Sequence, residues 1–210
     1  MTEEEAAGVY SFVMPDGSDR QGSEGYTGDA ISSYENGDKF EGSFNDGFRV
    51  GPGTYTSAKG FVFKGSYTDN LRHGLGTLTF STGAYYHGNY SAGKRDGHGI
   101  YRYPNGDVFV GSWANNKKQG EGIYICAESQ SRLTGQWHKG HLVSGSTWEL
   151  SGGQQYTGEF SINKPCGQGT WTLSTGDTLQ GTYSIKAAPV DFAPDSKESP
   201  PTLVTSSWSQ

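Results

Sequence analysis

A block rich in glycine and aromatic residues recurs every 23 residues along this chain, and that period limits the possible folds more than any other feature. Blocks start at Phe40, Phe63, Tyr86, Phe109, Leu133, Tyr156 and Leu179, with one step of 24. Each opens with a large residue, any residue, Gly, any residue and an aromatic. The copies read FEGSF, FKGSY, YHGNY, FVGSW, LTGQW, YTGEF and LQGTY. Alternation with a period of two belongs to a strand, which puts the first, third and fifth residues on one face. The central glycine leaves a gap there, and a neighbouring ring can lie across it.

The second half of most blocks reads Gly-x-Gly-x-large: GPGTY ending at Tyr55, GLGTL at Leu78, GHGIY at Tyr101, GEGIY at Tyr124 and GQGTW at Trp171. This is the return strand, and its flanking Thr and Ile residues suit a pleated surface. The eighth residue of successive blocks is Gly47, Asn70, Gly93, Asn116, Gly140 and Asn163. Gly and Asn tolerate left-handed backbone best, so this place is expected to be a turn with positive φ. Gly60, Gly83, Gly106, Gly153 and Gly176 mark a second turn that leads into the next hairpin.

The pattern resembles the MORN repeat, YxGxW followed by GxxxGxG and a return strand that ends in a glycine turn. It covers residues 40–186 as six units and a closing half. Residues 1–39 form an acidic lead-in with two degenerate units, around Gly8–Gly17 and Tyr26–Gly37, that cap the array. Residues 187–210 carry Pro and Ser without periodicity and are expected to be a disordered tail. Phe192, Leu203, Val204 and Trp208 are its large apolar residues, and Trp208 is a candidate anchor. Two departures stand out: the unit from Phe109 inserts a residue over CAESQSRL, and the unit from Leu133 has Ser144-Gly145-Ser146 in place of GxG. The expected fold is all-β, an elongated, twisted, single-layer antiparallel sheet of tandem hairpins, each unit touching mainly its neighbours.

Aromatics must carry the packing, because 33 glycines and a hydrophobic content of 32% leave little aliphatic material. The packing or partner-facing candidates are Tyr67, Tyr90, Trp113 and Trp137 on opening strands, and Tyr101, Tyr124, Trp148 and Trp171 on return strands. A single layer supplies no cover for their face, so stacked rings, the flanks or a partner must do so. Open sheet edges invite strand addition and self-association.

The net charge of −6 sits mostly in the first 39 residues, which hold nine acids and two bases; residues 40–186 hold ten acids and thirteen bases. No basic cluster marks a nucleic-acid or anionic-membrane partner. The N-terminus MTEEEAA lacks the charge and apolar pattern of a signal peptide, no apolar run approaches membrane length, and two cysteines suit a reducing compartment, so a cytoplasmic location is expected.

No catalytic or metal-binding set is recognisable. The GxG pairs lack GK[ST] and a following helix. His73, His87, His98, His138 and His141 have no ligands at metal spacing, and a set of His138, His141 and Cys126 is disfavoured. Cys126 reads as a small hydrophobe on the packed face, and Cys166 as an exposed turn residue. No enzyme activity and no cofactor are expected.

Among MORN-repeat proteins, the chain most resembles those of the radial spoke head of cilia and flagella. That resemblance implies a non-catalytic scaffold in the axoneme. Its partners would be other spoke head proteins, with central-pair projections as a transient contact, and its role ciliary motility. The alternative reading is a membrane tether or phospholipid-associated adaptor, which the lack of a basic patch and an anchor disfavours.

Overall fold

A computed structural model describes residues 11–184 and 207–209. These residues form strands and turns without a helix, and the strand pairings are antiparallel throughout. The chain divides into two compact units, Met1–Tyr101 and Arg102–Gln210.

The first unit holds β1 (Ser11–Val13), β2 (Asp19–Gln21), β3 (Gly28–Ser33), β4 (Lys39–Asn45), β5 (Phe48–Thr56), β6 (Val62–Thr68), β7 (Leu71–Thr79), β8 (Tyr85–Ser91) and all but the last residue of β9 (Lys94–Arg102). β1 pairs with both β2 and β3, and from β3 to β8 each strand pairs with the next. The register aligns the small residues in one row: Ala30 faces Gly42, which faces Gly53, and the row continues through Gly65 and Gly76 to Gly88. Rings fill the row from one face. Phe40 lies across Gly42 and Gly53, Phe63 across Gly65 and Gly76, and Tyr86 across Gly88 and Gly99.

Phe40 and Phe63 are each gripped edge-to-face by the aromatic at position five of their own repeat and of the next, and Tyr86 by Tyr90 of its own. Phe63 stands 5.4 Å from Tyr67 and 5.1 Å from Tyr90, with interplanar angles of 88° and 82°. Phe40, with Phe44 and Tyr67, repeats the arrangement at 5.3 and 5.1 Å. Edge-to-face contact suits the quadrupoles of the rings. Phe12 of β1 brings a ring to the start of the row, fully buried and 4.9 Å from Phe44.

The turns explain the rest of the glycine and asparagine pattern. All six eighth-position residues have positive φ, from 63° at Asn163 to 95° at Gly140. So do the residues just before them, as a two-residue hairpin turn of the primed type requires. Asp46 and Asn115 suit that place, whereas Ala92, Lys139 and Ile162 adopt it at φ of 47°, 51° and 49° without a favourable side chain. The first glycine of GxG has a different task from the second. Gly51 and Gly74, at φ of 63° and 66°, lie beside the register shift that follows Gly42 and Gly65 on the facing strand, a bulge that needs left-handed backbone.

The second unit holds β10 (Val108–Ala114), β11 (Lys117–Ile125), β12 (Arg132–His138), β13 (His141–Leu142), β14 (Ser146–Glu149), β15 (Gln155–Ser161), β16 (Lys164–Thr172), β17 (Thr178–Ser184) and β18 (Ser207–Ser209). Phe109 covers Gly111 and Gly122, and Tyr156 covers Gly158 and Gly169. Both departures from the repeat have local consequences. The inserted residue lengthens the turn after β11, where the Gln130 N–H donates to the Cys126 carbonyl and Gln130 takes φ of 56° in place of a glycine. In the next repeat the return strand is broken between β13 and β14, and Ser146 takes the place of a row glycine. Its side chain fills the space above Gly135, which is open because the opening residue, Leu133, has no ring to lay there. Ser146 is buried, and its hydroxyl donates to the Val143 carbonyl at 2.7 Å.

The C-terminal stretch read as a disordered tail ends instead in a paired strand, Ser207–Ser209, because Trp208 carries a ring to the bare Gly181 of β17. Phe192, Leu203 and Val204 lie outside the described residues.

Candidate protein-binding site

The eight array aromatics separate by burial. Tyr67, Tyr90, Tyr101, Trp113, Tyr124 and Trp137 are buried, while Trp148 and Trp171 are half-buried and stand 5.7 Å apart. Trp208 is also half-buried. The aromatic face therefore does not wait for a partner to cover it over most of its extent. Cover comes from the rings themselves and from a row of cations that the sequence reading missed.

These cations recur at the tenth place of the repeat. Arg49 lies 5.4–5.7 Å from the ring centres of Phe40, Tyr55 and Tyr67. Arg72 sits over Phe63 and Tyr90, Arg95 over Tyr86 and Tyr101, and Lys118 over Tyr103, Phe109, Tyr124 and Trp137. A cation over a ring face is attracted by the ring quadrupole, and more so when water is excluded. Arg49 and Lys118 are buried among these rings. Arg49 also rivets one repeat to the next: its Nε donates to Asn70 Oδ1 at 3.2 Å and its Nη2 to the Asn70 carbonyl at 3.0 Å. The period of 23 in Arg49, Arg72 and Arg95 was visible in the sequence and would have revealed this row.

A second buried polar centre fixes the closing turn. Asp38 accepts from the Tyr55 hydroxyl at 2.5 Å, from the Ser57 hydroxyl at 3.0 Å and from the Ala58 N–H at 2.8 Å. Burial raises its pKa, but these donors and Asn36 together outweigh that and hold the carboxyl below its usual range. Asp107 repeats the contacts with Tyr124 and Ala127.

What remains open is the opposite face of the first unit. A trough of about 780 Å³ lies there over Ala30, Gly42, Gly53 and Gly65. Ile31, Glu41, Thr54 and Lys64 face one another in register along one bank. The other bank includes Asp29 and Ser43, joined by a 2.6 Å hydrogen bond from the serine hydroxyl. Val13, Met14 and Pro15 close one end. Val13 and Ile31 are 37% and 44% exposed, so apolar surface opens into the trough beside two acids, Asp29 and Glu41, and one base, Lys64. Four strands at the usual spacing of about 4.8 Å make a bank of about 14 Å, the length of some four extended residues.

Among the described residues no three His, Cys, Asp or Glu side chains come together as a metal requires. His87 Nδ1 lies 2.7 Å from the Thr77 hydroxyl on the sheet surface, and His138 contacts Gln119. Cys126 is half-buried at the head of the long turn. Cys166 is a half-buried residue of β16 and not an exposed turn residue; burial, with Glu159 beside it, pushes its thiol up and away from the reactive thiolate.

No curated protein matches the sequence. Solved structures with a distant likeness include the TCP10c domain of Drosophila melanogaster Sas-4, at 16% identity and a TM-score of 0.43, covering 73% of this chain and 91% of that one. Another is the TCP10 domain of Danio rerio CPAP in complex with a peptide of Danio rerio STIL, at 12% identity and a TM-score of 0.40, covering 82% of each chain. The family model described as MORN repeat matches residues 40–62, 63–85, 86–108, 109–130 and 156–178, more than half of the chain. Its five matches omit the unit from Leu133, whose return strand is broken. With rings over paired glycines in each matched segment, the chain belongs to the MORN-repeat family.

Proposed function

We propose that this protein is a non-catalytic scaffold that binds other proteins, and that the trough over Ala30, Gly42, Gly53 and Gly65 receives an extended segment of a partner. One observation carries this reading: the rings and cations of the first unit are used up inside the array, while the opposite face is left open. A segment in the trough would meet apolar contact at Val13 and Ile31 and opposite charges at Glu41 and Lys64. Mechanism here means holding a partner in place.

The proposed setting is the radial spoke head of the ciliary or flagellar axoneme, beside other spoke head proteins. Its support is the resemblance of the whole chain, MORN repeats with a short acidic lead-in and a Ser/Pro-rich end, to spoke head proteins of that kind. A tagged copy expressed in a ciliated cell should stay with the detergent-resistant axoneme and leave it only in chaotropic salt, together with spoke subunits. Recovery with membranes would favour the tether reading instead, and recovery in the soluble fraction without partners would contradict the spoke assignment.

A further inference from the structure

The outer edge of β17 is closed by the far end of the same chain. β18 lies antiparallel to β17, with Thr182 opposite Ser209, Tyr183 opposite Trp208 and Ser184 opposite Ser207. In the regular repeats, the glycine at position three is roofed by the opening ring of its own unit. β17 opens with Leu179, and the ring above Gly181 is that of Trp208: a β-carbon on Gly181 would stand 2.5 Å from its Cζ2. The Trp208 ring lies 5.0 Å from Tyr183 and 6.2 Å from Tyr156, at 88° to the latter. Trp208 thus supplies the ring that the closing half-unit lacks.

Two features mark this as the docking of a separate segment. Adjacent antiparallel strands can be joined by a two-residue turn, yet residues 185–206 lie between Ser184 and Ser207. In addition, β18 pairs with Thr182–Ser184 only, and no described strand pairs with Thr178–Gly181 on that side. The Trp208 Nε1–H has no acceptor among the described residues, so the ring is held by shape and not by a polar contact specific to indole.

We propose that the outer edge of β17, with the ring slot above Gly181, is a docking site for an extended segment bearing an aromatic residue, and that Ser207–Ser209 fills it in cis. Backbone pairing supplies affinity, and the slot selects the aromatic side chain. A strand that belongs to the same chain is offered to the edge at an effective concentration of about the millimolar range. A strand offered in trans therefore has to compete, and the edge is protected from pairing with other chains while β18 is in place. This stands independently of the trough and of any axonemal assignment.

The test uses amide hydrogen exchange on the full chain, on Trp208→Ala and on Trp208→Phe, and a chain ending at Ser206 titrated with the peptides TSSWSQ and TSSASQ. The amides of Thr182–Ser184 should exchange at least about tenfold faster in Trp208→Ala, as expected for loss of local pairing, and near the wild-type rate in Trp208→Phe. Amides of β15 and β16 should be unchanged in both. The shortened chain should bind TSSWSQ with shifts at Gly181 and Tyr183 and should not bind TSSASQ, and the full chain at the same concentration should bind neither. Equal exchange in wild type and Trp208→Ala, no binding by the shortened chain, or equal peptide binding by both chains would overturn the proposal. So would protection that grows with protein concentration, which would place the strand in a second copy.

Discussion

The ring of Phe63 lies across Gly65 and Gly76 on neighbouring strands: a β-carbon on Gly65 would stand 2.6 Å from its Cζ, and one on Gly76 2.4 Å. For Gly76 the nearest backbone atom, the Lys64 carbonyl oxygen, is at 3.4 Å, so the ring is the main obstacle. Gly76→Ala should cost about 1–3 kcal/mol by overpacking, and Phe63→Ala about 3–5 kcal/mol by loss of a buried ring. In the double variant the new methyl group enters the space the ring left. Urea unfolding should show the double variant more stable than the sum of the single losses predicts, by at least about 1 kcal/mol. Simple additivity would mean that the ring and the glycine are not in contact.

Trp113 is 2% exposed and stands 5.4 Å from Phe109. Trp113→Ala should destabilise the second unit by about 3–5 kcal/mol and lower the melting temperature of that unit by roughly 10 °C or more. Trp148, half-buried, should give a smaller loss on the same substitution. An unchanged melting temperature for Trp113→Ala would show that the ring is not packed.

Arg49 combines three ring contacts with two hydrogen bonds to Asn70. Arg49→Ala should cost about 2–3 kcal/mol, since desolvated cation–π contact and the Asn70 bonds are lost together. Lys118 shows that an ammonium fits the same place among rings, at 5.2–5.4 Å from four of them. Arg49→Lys should therefore keep part of the stability and lose only the fork to Asn70. Equal melting of the alanine and lysine variants would contradict a role for the charge.

Stability should fall at both ends of the pH range. The pKa of Asp38 is lower in the folded protein than its ordinary value, so its contribution is complete above that value and is lost as pH falls through the folded one. The stability gap between wild type and Asp38→Asn should accordingly close on acidification. At the alkaline end burial raises the phenols of Tyr86, Tyr124, Tyr156 and Tyr183, that of Tyr156 to about 12. Their neutral forms favour folding, and that stabilisation fades above the ordinary tyrosine pKa of about 10. Phenolate absorbance should show these rings ionising together with unfolding; ionisation at ordinary pKa in the native state would contradict their burial.

The hairpin repeat was legible because its period fixes side chains to faces: Gly42, Gly65 and Gly88 fall where rings need bare backbone, and Asn70 and Asn163 where turns need positive φ. The same logic failed at Ala92, Lys139 and Ile162, where hairpin geometry imposes left-handed backbone whatever the residue. It also failed to identify the cover of the aromatic face. The burial of Arg49 and Lys118 follows from rings arriving from three strands each, and for Lys118 also from Tyr103 in the turn before β10, which no single segment reveals. The trough depends on the pairing of β3 through β6 and on Val13–Pro15 at its end, so it is a property of register and not of a motif. Trp208 drew attention as an apolar residue in a polar tail, but its slot over Gly181 becomes visible only once Leu179 is seen to bring no ring.

The central claim is that the rings hold the array while the trough face holds the partner. Its most direct test is Thr54→Trp, at the middle of the bank between Glu41 and Lys64, a strand site where an aromatic side chain is compatible with β structure. Protein partners that co-purify in fixed ratio with the tagged wild-type chain from ciliated cells are compared with those of the variant, alongside the melting temperature of each. The account predicts an unchanged melting temperature and loss of those partners. A variant that folds as the wild type does and retains all of them would contradict it.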